Sequence, residues 1–517
     1  MINYIPYAIA ALMLVFGYRR LLVAMKFMQQ DNYYNKRLFR FAYLKRNMID
    51  TRVSLPILAA AIVAHFVPSV WWWAVPAAAL AVQILRERNP KKSGIKPLVM
   101  TARAKRMFYT AFVVWTIAVA TTILFTIHYS LFTYAAMALL APMFIMAGNT
   151  LMSPVEWKIN KKFIDEAKAR LDRFKPLTIG ITGSFGKTSM KNILHHILST
   201  YSSSFATKRS INTMMGIVRV IREEMTAAPK YFVAEMGIGD RGQMPELVKF
   251  INPDFGIITA VGAAHLENFK RVDAVAKEKF RLSKFVAKKG GRTIINAANI
   301  DPEFIKKYAA PNDIIFTGNE VSDVRQTADG LSFILSYEGK KYEISAPVFG
   351  MHQAQNIAIS FIMARLIGVE AEPIITALKT LKQTEHRLEV REEGGFVVLD
   401  DAFNSNVKGF VSAVQTGAAM KGARRLILIT PGMVDLGELH AAQHAEAGRA
   451  ANAAADIVIA VNPSRIEDFI REIAADKLVR AASLAEARAW LAANARPGEL
   501  VLYENDLPDV YIEKVRI

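Results

Sequence analysis

The chain has 517 residues, enough for about three domains at roughly 150 residues each. It has no cysteine, which excludes disulfides, thiolate catalysis and Cys-ligated zinc or iron–sulfur centres. The formal net charge of +19 raises the question of nucleic acid, but the excess is local: residues 1–152 carry +14 and residues 153–517 only +5, so no nucleic-acid partner is expected.

In chain order, five apolar stretches come first, at about 3–18, 53–67, 69–86, 108–128 and 131–150. The last two are long enough for a bilayer, which needs roughly 20 residues. The second and third are shorter and meet at HFVPSVWWW (65–73), whose Trp71, Trp72 and Trp73 suit an interfacial belt; the pair is expected to form a helical hairpin. Segments 19–52 and 87–107 are rich in Lys and Arg, whereas the joints near 68 and 129 have none. The positive-inside rule then puts both basic segments in the cytoplasm, the N-terminus outside and residue 153 onward inside. This predicts an α-helical membrane domain of about five spans over 1–152, in the inner cell membrane. Arg19-Arg20 follow the first apolar run rather than precede it, which argues against a cleavable signal peptide. The stretch KFMQQDNYYNKRLFRFAYLKR (26–46) mixes bases with aromatics. It suits anionic lipid headgroups or a lipid-linked substrate, and equally a plain topogenic loop.

A charged helix is expected over 156–174, then strand LTIGIT (177–182), a Gly-rich loop and a helix over 187–200. Strands follow at 230–236, 255–262 and 291–297 with helical patterns between several of them, which predicts a mostly parallel α/β sheet. DIIFTG (313–318), LSFILSYEG (331–339) and KKYEISAPV (340–348) read as antiparallel strands, and 352–367 reads as a helix. A second α/β series begins after 387, with strands at 396–402, 424–432, 455–461 and 499–504. The expected domains are therefore 1–152, 153–385 and 386–517.

The loop TGSFGKTS (182–189) sits between strand and helix, where backbone N–H groups and a positive helix end meet phosphates. Lys187 can reach the β/γ phosphates of a nucleotide and the Thr188 hydroxyl can bind Mg²⁺. The usual G-x-x-x-x-G-K-[ST] pattern fails at its first glycine, where Ile181 stands.

Thr182-Gly183-Ser184-Phe185-Gly186-Lys187-Thr188 resembles the TGTxGKT loop of the Mur ligases, which lacks that first glycine. Further segments are similar in collinear order: Asn212-Thr213, AEMG (234–237), PDFGIITAVGAAHLE (253–267), GMHQ..N (350–356), RLE (387–389), DDAFNSN (400–406) and PGMVDLGE (431–438). The resemblance covers about 177–505 and is most specific to the D-alanyl-D-alanine-adding branch. It implies a P-loop central domain, a Rossmann-like C-terminal domain, and ATP-dependent amide formation through an acyl phosphate.

The roles it implies are these. Residues 182–189, including Ser189, cradle ATP, and Lys187 clamps its phosphates. Thr188 and Glu235 hold one Mg²⁺, and His265 assists a second. Lys279 aligns with the lysine that the family often carries carbamylated, with Lys277 as the alternative. Asn356 and His352 lie near the adenine, Arg387 reaches the γ-phosphate from the hinge, Asp401 contacts the ribose, and Asn404 and Asn406 order that turn.

Two departures limit the resemblance. Mur ligases begin with a soluble domain that binds the UDP part of their substrate, whereas this chain begins with apolar spans and basic loops. The carboxylate substrate is therefore expected to be lipid-linked or otherwise tied to the envelope. Near the C-terminus, LYENDLPDVY (502–511) is acidic where the branch has KGS, which fits either an amine acceptor (amino acid or dipeptide) or a surface turn. A membrane poly-amino-acid synthase of the polyglutamate type and an ATP-driven transport or regulatory protein are the alternatives.

Overall fold

The computed structural model describes residues 4–44, 47–48, 51–67, 70–92, 96–125, 130–262, 266–327, 329–403, 406–434 and 436–505. His265, Asn404, Asp506 and Asp509 therefore lie outside the described residues. The chain divides into two compact units at Lys161/Lys162.

The first unit is helical: α1 (Ile5–Gln30), α2 (Asn35–Phe39), α3 (Thr51–Phe66), α4 (Ala74–Arg86), α5 (Ala102–Phe125) and α6 (Ser130–Phe174). Among the described residues, each expected apolar stretch lies mostly within one of these helices. Among the described residues, three are long and apolar enough to cross a membrane, within Ile5–Gln30, Ala102–Leu124 and Leu131–Phe174. Helices α3 and α4 pack as the expected hairpin. At 1.5 Å per residue they are only about 24 and 20 Å long, short of a ~30 Å hydrocarbon layer. The charged helix expected at 156–174 is no separate element, because its residues continue α6 without a break.

Small residues let these helices approach closely. A Cβ on Gly17 would lie 2.1 Å from Trp115 Nε1, which donates to the Met13 carbonyl at 3.0 Å. A Cβ on Gly148 would lie 2.8 Å from the Met107 carbonyl, so α5 and α6 also touch backbone to backbone. Two arginines of this unit pair with acids: Arg20 Nη1 meets Glu87 Oε1 at 2.9 Å, and Arg106 grips Glu156 through two bonds of 2.6 and 3.0 Å.

The second unit opens with the last turns of α6, where Ala167 and Leu171 join its core and Arg170 caps the end of a later helix through the Ile221, Arg222 and Met225 carbonyls. It then alternates β1 (Leu177–Thr182), α7 (Lys187–Tyr201), β2 (Ser204–Ala206), α8 (Met214–Glu224), β3 (Tyr231–Glu235), α9 (Gln243–Ile251) and β4 (Phe255–Ile258). Helices α10 (Leu266–Phe269), α11 (Val272–Lys279) and α12 (Arg281–Lys288) precede β5 (Thr293–Asn296), α13 (Pro302–Tyr308) and β6 (Ile314–Phe316). Strands β1–β6 form one parallel sheet in the order β2-β3-β1-β4-β5-β6. The order reverses at β1, so the loop after β1 opens at the crevice where such sheets bind ligands.

Strands β7 (Val321–Thr327), β8 (Gly330–Tyr337) and β9 (Lys340–Ala346) form a separate antiparallel sheet, followed by α14 (Gln353–Leu366) and α15 (Ala371–Leu378). This corrects the sequence reading: DIIFTG supplies β6 of the parallel sheet, and the third antiparallel strand is β7. VSDVRQT escaped notice because it is mostly polar and half-exposed, with no buried face to mark it.

After the hinge come β10 (Glu389–Glu393), β11 (Phe396–Asp401), α16 (Val407–Lys421), β12 (Leu426–Thr430), α17 (His440–Ala454), β13 (Ile457–Val461), α18 (Glu467–Ile470), β14 (Leu478–Ala481), α19 (Leu484–Asn494) and β15 (Leu500–Glu504). Their sheet runs β10-β11-β15-β12-β13-β14, parallel except for edge strand β10. Near-continuous aliphatic strands such as LILIT and IVIAV are covered on both faces, as parallel sheets require.

Candidate active site

The loop after β1 is fitted to the end of β4. Gly183 has no room for a side chain, since a Cβ would lie 1.9 Å from Thr259 Oγ1. That hydroxyl donates to the Phe185 carbonyl. Ser184 exchanges hydrogen bonds with the backbone of Gly262, and the buried Thr182 hydroxyl donates to the Met236 carbonyl at 2.9 Å. Gly186 caps α7 with φ +80°, a left-handed conformation open to glycine at little cost. Ser189 is buried on the first turn of α7.

Lys187 Nζ donates to the Gly183 carbonyl at 2.8 Å, folding back over its own loop. Burial lowers its pKa; Glu235 opposes the shift and Arg387 adds to it. The Thr188 hydroxyl donates to Glu235 Oε2 at 2.9 Å, and Asn212 Nδ2 donates to Oε1 at 2.8 Å. Glu235 is therefore no solvated strand end: it is 1% exposed, and β3 beside β1 carries it to the loop.

One residue here escaped the sequence reading. Lys191 lies one turn beyond Lys187 on the same face of α7. It is fully buried, 3.7 Å from Glu235 Oε2, and donates to the Arg209 carbonyl. The i,i+4 spacing of the two lysines was the signal available.

Lys279 and Lys277 part company. Lys277 is exposed, whereas Lys279 is 3% exposed at the end of α11. Its pKa is held well below the usual lysine range by burial and by the Lys187 charge, against Glu278. Its neighbour Glu278 accepts from the Gly242 and Met244 backbone N–H groups.

The hinge is strained around Arg387, with φ +57° at His386 and +52° at Leu388. Asp400 pins it from β11, accepting from His386 Nδ1 at 2.8 Å and from Arg391. The Arg387 guanidinium stacks on Phe403 at 4.2 Å and donates to the Phe403 carbonyl. Burial lowers its pKa, opposed by Asp401, Glu235 and Glu504, so it feels acids from both α/β layers. Asp401 accepts from the Leu388 N–H at 3.2 Å; burial raises its pKa to about 6 against the pull of Arg387.

Asn356 is buried against the phosphate loop, its Oδ1 3.5 Å from where a Gly186 Cβ would stand, and it donates to Gln353 Oε1 at 2.8 Å. His352 Nδ1 lies 2.9 Å from Ser412 Oγ on α16, and Asn406 caps α16 by accepting from the Gly409 N–H at 3.1 Å. Glu504 is fully buried at the end of β15, in register with Asp401, so this part of the acidic C-terminal stretch is core rather than surface turn. A narrow cleft, about 10 Å³ in volume, lies among Ser189, Ile193, Phe349, Gln353, Thr384 and Arg387.

A phosphate loop at the switch point of one parallel sheet, joined by an arginine hinge to a second parallel sheet, defines a two-domain α/β protein of the P-loop nucleotide-binding class. Residues 181–364 match the Mur ligase middle domain, and residues 386–503 match the Mur ligase, glutamate ligase domain. The chain belongs to the Mur ligase family. It is 26% identical over 287 residues to the UDP-N-acetylmuramoyl-tripeptide–D-alanyl-D-alanine ligase of Bacillus subtilis, covering 54% of this chain and 62% of that protein. The enzyme of the same name from Escherichia coli is 28% identical over 289 residues, covering 53% and 62%. The crystal structure of the MurF ligase from Thermotoga maritima in complex with ADP has the same fold, with TM-score 0.60 at 23% identity, over 69% of this chain and 82% of that one. The matches span less than two thirds of the length of the two named sequence relatives.

Proposed function

We propose that the chain is an ATP-dependent ligase that joins the carboxylate of a cell-envelope precursor to an amine, anchored in the membrane by its first unit. The observation that carries this is the convergence of Lys187, Lys191 and Arg387 on the field of one buried carboxylate, Glu235, with Lys279 beside Lys187. A carboxylate becomes electrophilic when its oxygen takes the γ-phosphoryl group and ADP leaves. The amine nitrogen then bonds to the acyl carbon, phosphate departs with the former carboxylate oxygen, and the amine gives up a proton. Both steps gather negative charge, which fixed cations stabilise.

In this reading Lys187 leaves the Gly183 carbonyl for the β/γ phosphates, and Arg387 swings on its hinge toward the γ-phosphate. Thr188 and Glu235 offer hard oxygen donors at hydrogen-bonding distance from each other, which fits Mg²⁺. When bound, that ion would neutralise phosphate charge. A second ion assigned to His265 belongs to the same reading. The buried, low-pKa amine of Lys279 fits a lysine that takes up CO₂ as a carbamate, because only the neutral amine reacts. Asp401 closes on the ribose and Asn356 on the nucleotide side of the loop.

The relatives' names point to a peptidoglycan-type precursor and a dipeptide amine. The helical first unit and its basic segments favour a lipid-linked carboxylate at the inner leaflet, with the catalytic unit cytoplasmic and the N-terminus outside. The test is stoichiometry: purified protein should consume one primary amine per ATP hydrolysed, and a Lys187→Ala strain should accumulate a lipid-linked carboxylate intermediate visible by mass spectrometry. ATP hydrolysis without amine loss would point to transport instead. Product ladders would reveal a processive poly-amino-acid synthase. Full activity on a soluble UDP-linked substrate, independent of the first unit, would refute the lipid-linked assignment.

A further inference from the structure

Arg20, Arg103 and Arg106 of the first unit have contrasting surroundings. Arg20 is matched to Glu87, and Arg106 is matched to Glu156 through two bonds. Arg103, one turn before Met107 on α5, has no such partner. Among the described residues it makes no hydrogen bond and no ion pair, and its Nε is buried without an acceptor. Its guanidinium lies 4.0 Å from the centroid of the Tyr33 ring.

The surroundings of this pair are built rather than accidental. Asn32 and Tyr33 both adopt left-handed backbone, at φ +54° and +64°, a conformation that must be held by its neighbours. Asn149 of α6 holds it, donating to the Tyr33 carbonyl at 3.0 Å and to Asn35 Oδ1 at 2.8 Å. Asn35 in turn donates to Thr150 Oγ1 and the Met146 carbonyl. Gln29 clamps the chain before α5, donating to the Val99 carbonyl at 2.7 Å and accepting from its N–H at 3.0 Å. Each amide hydrogen of Asn35 and Asn149 is spent within the protein, so the network fixes the tyrosine platform and leaves the arginine fork unspent. A guanidinium with no acid partner among the described residues of an apolar helical unit calls for an external anion. Its planar fork matches a phosphate in two-point contact.

We propose that Arg103, seated on Tyr33, binds the phosphate group of a membrane lipid. The proposal rests on the reading of the first unit as membrane-embedded, and it deepens that reading by naming where the lipid's charge is held. The shared chemistry is a lipid phosphate, from either a polyprenyl-phosphate carrier or a bulk anionic phospholipid.

The test uses the full-length protein in detergent, with native mass spectrometry counting retained lipid during titration. One arm uses polyprenyl monophosphate and the other phosphatidylglycerol. One lipid phosphate should bind per chain. Arg103→Gln should weaken it at least tenfold and Arg103→Lys less, while the exposed neighbour variant Lys105→Gln should leave it unchanged. Tyr33→Leu, checked for intact helicity by circular dichroism, should also weaken it by removing the platform. Selectivity for the polyprenyl lipid would place the site on the substrate carrier; equal binding would make it a headgroup anchor. Wild-type affinity in Arg103→Gln would overturn the proposal while leaving the membrane reading intact. Recovery of the protein in the soluble fraction without detergent would sink both.

Discussion

Gly183→Ala probes whether the phosphate loop is shaped by its contact with β4. The new Cβ would stand 1.9 Å from Thr259 Oγ1, 3.1 Å from Thr259 Cβ and 3.0 Å from the Ala260 nitrogen. Thr259 cannot simply move aside: its hydroxyl bonds the Phe185 carbonyl and its N–H bonds the Thr182 carbonyl at 2.9 Å. Overpacking of this kind costs about 1–3 kcal/mol. Losing the hydroxyl bond adds about 1 kcal/mol. Gly183→Ala should therefore cost about 2–4 kcal/mol in total. Thr259→Ala removes the obstructing oxygen and should itself cost about 1 kcal/mol. The double variant should be little worse than Thr259→Ala alone, a coupling of about 2–4 kcal/mol. The assay is the urea midpoint of the full-length protein in detergent, paired with ADP affinity by calorimetry. Strict additivity of the two substitutions, within about 0.5 kcal/mol, would refute the claim that this contact shapes the loop.

Glu235→Gln keeps the shape of the side chain but strips the counter-ion from buried Lys191; breaking such a pair costs about 3–5 kcal/mol, so the melting temperature should fall and the Mg²⁺ needed for half-maximal ATP turnover should rise. Lys279→Met should do the reverse for stability while abolishing ligation. Because the folded pKa of Lys279 lies below its unfolded value, its destabilising effect grows as pH falls from above 10.5 toward the folded pKa, so the thermal gain of the methionine variant should be larger at pH 6 than at pH 10. Asp401 is shifted the other way, from 3.8 up to about 6, so the shift stabilises the fold fully below pH 3.8 and that stabilisation is lost as pH rises through about 6. Asp401→Asn should accordingly raise the melting temperature more at pH 8 than at pH 4, and an unchanged difference between the two would show that Asp401 titrates normally.

The fold was legible wherever burial is one-sided or complete. LTIGIT, LILIT and IVIAV announce parallel strands because both faces are covered, and GKT after LTIGIT announces the loop because only a strand-to-helix turn uses those residues together. The half-exposed strand VSDVRQT carries no such pattern and was missed, and the polar helix 156–174 could not be told from a separate element because nothing at its start breaks α6. Site residues joined by a motif, such as Lys187, Thr188 and Glu235, could be picked from the sequence, but their partners could not: Lys191 has no motif of its own, and Glu504 looked like part of an acidic turn until β15 put it beside Asp401.

By itself, the sequence determined the apolar helical first part, most of the strands and helices that follow, and the place of the Gly-rich loop between β1 and α7, because hydropathy period, charge placement and turn residues act over short stretches of chain. Only the tertiary structure decided which strands are neighbours, that Glu235 is a buried acceptor for Thr188 and Asn212, that Lys279 rather than Lys277 is sealed from water, and that Arg103, among the described residues, lacks an acid such as Arg20 and Arg106 have. Those facts depend on residues tens to hundreds of positions apart, and burial and pairing across such distances exist only once the chain has closed on itself.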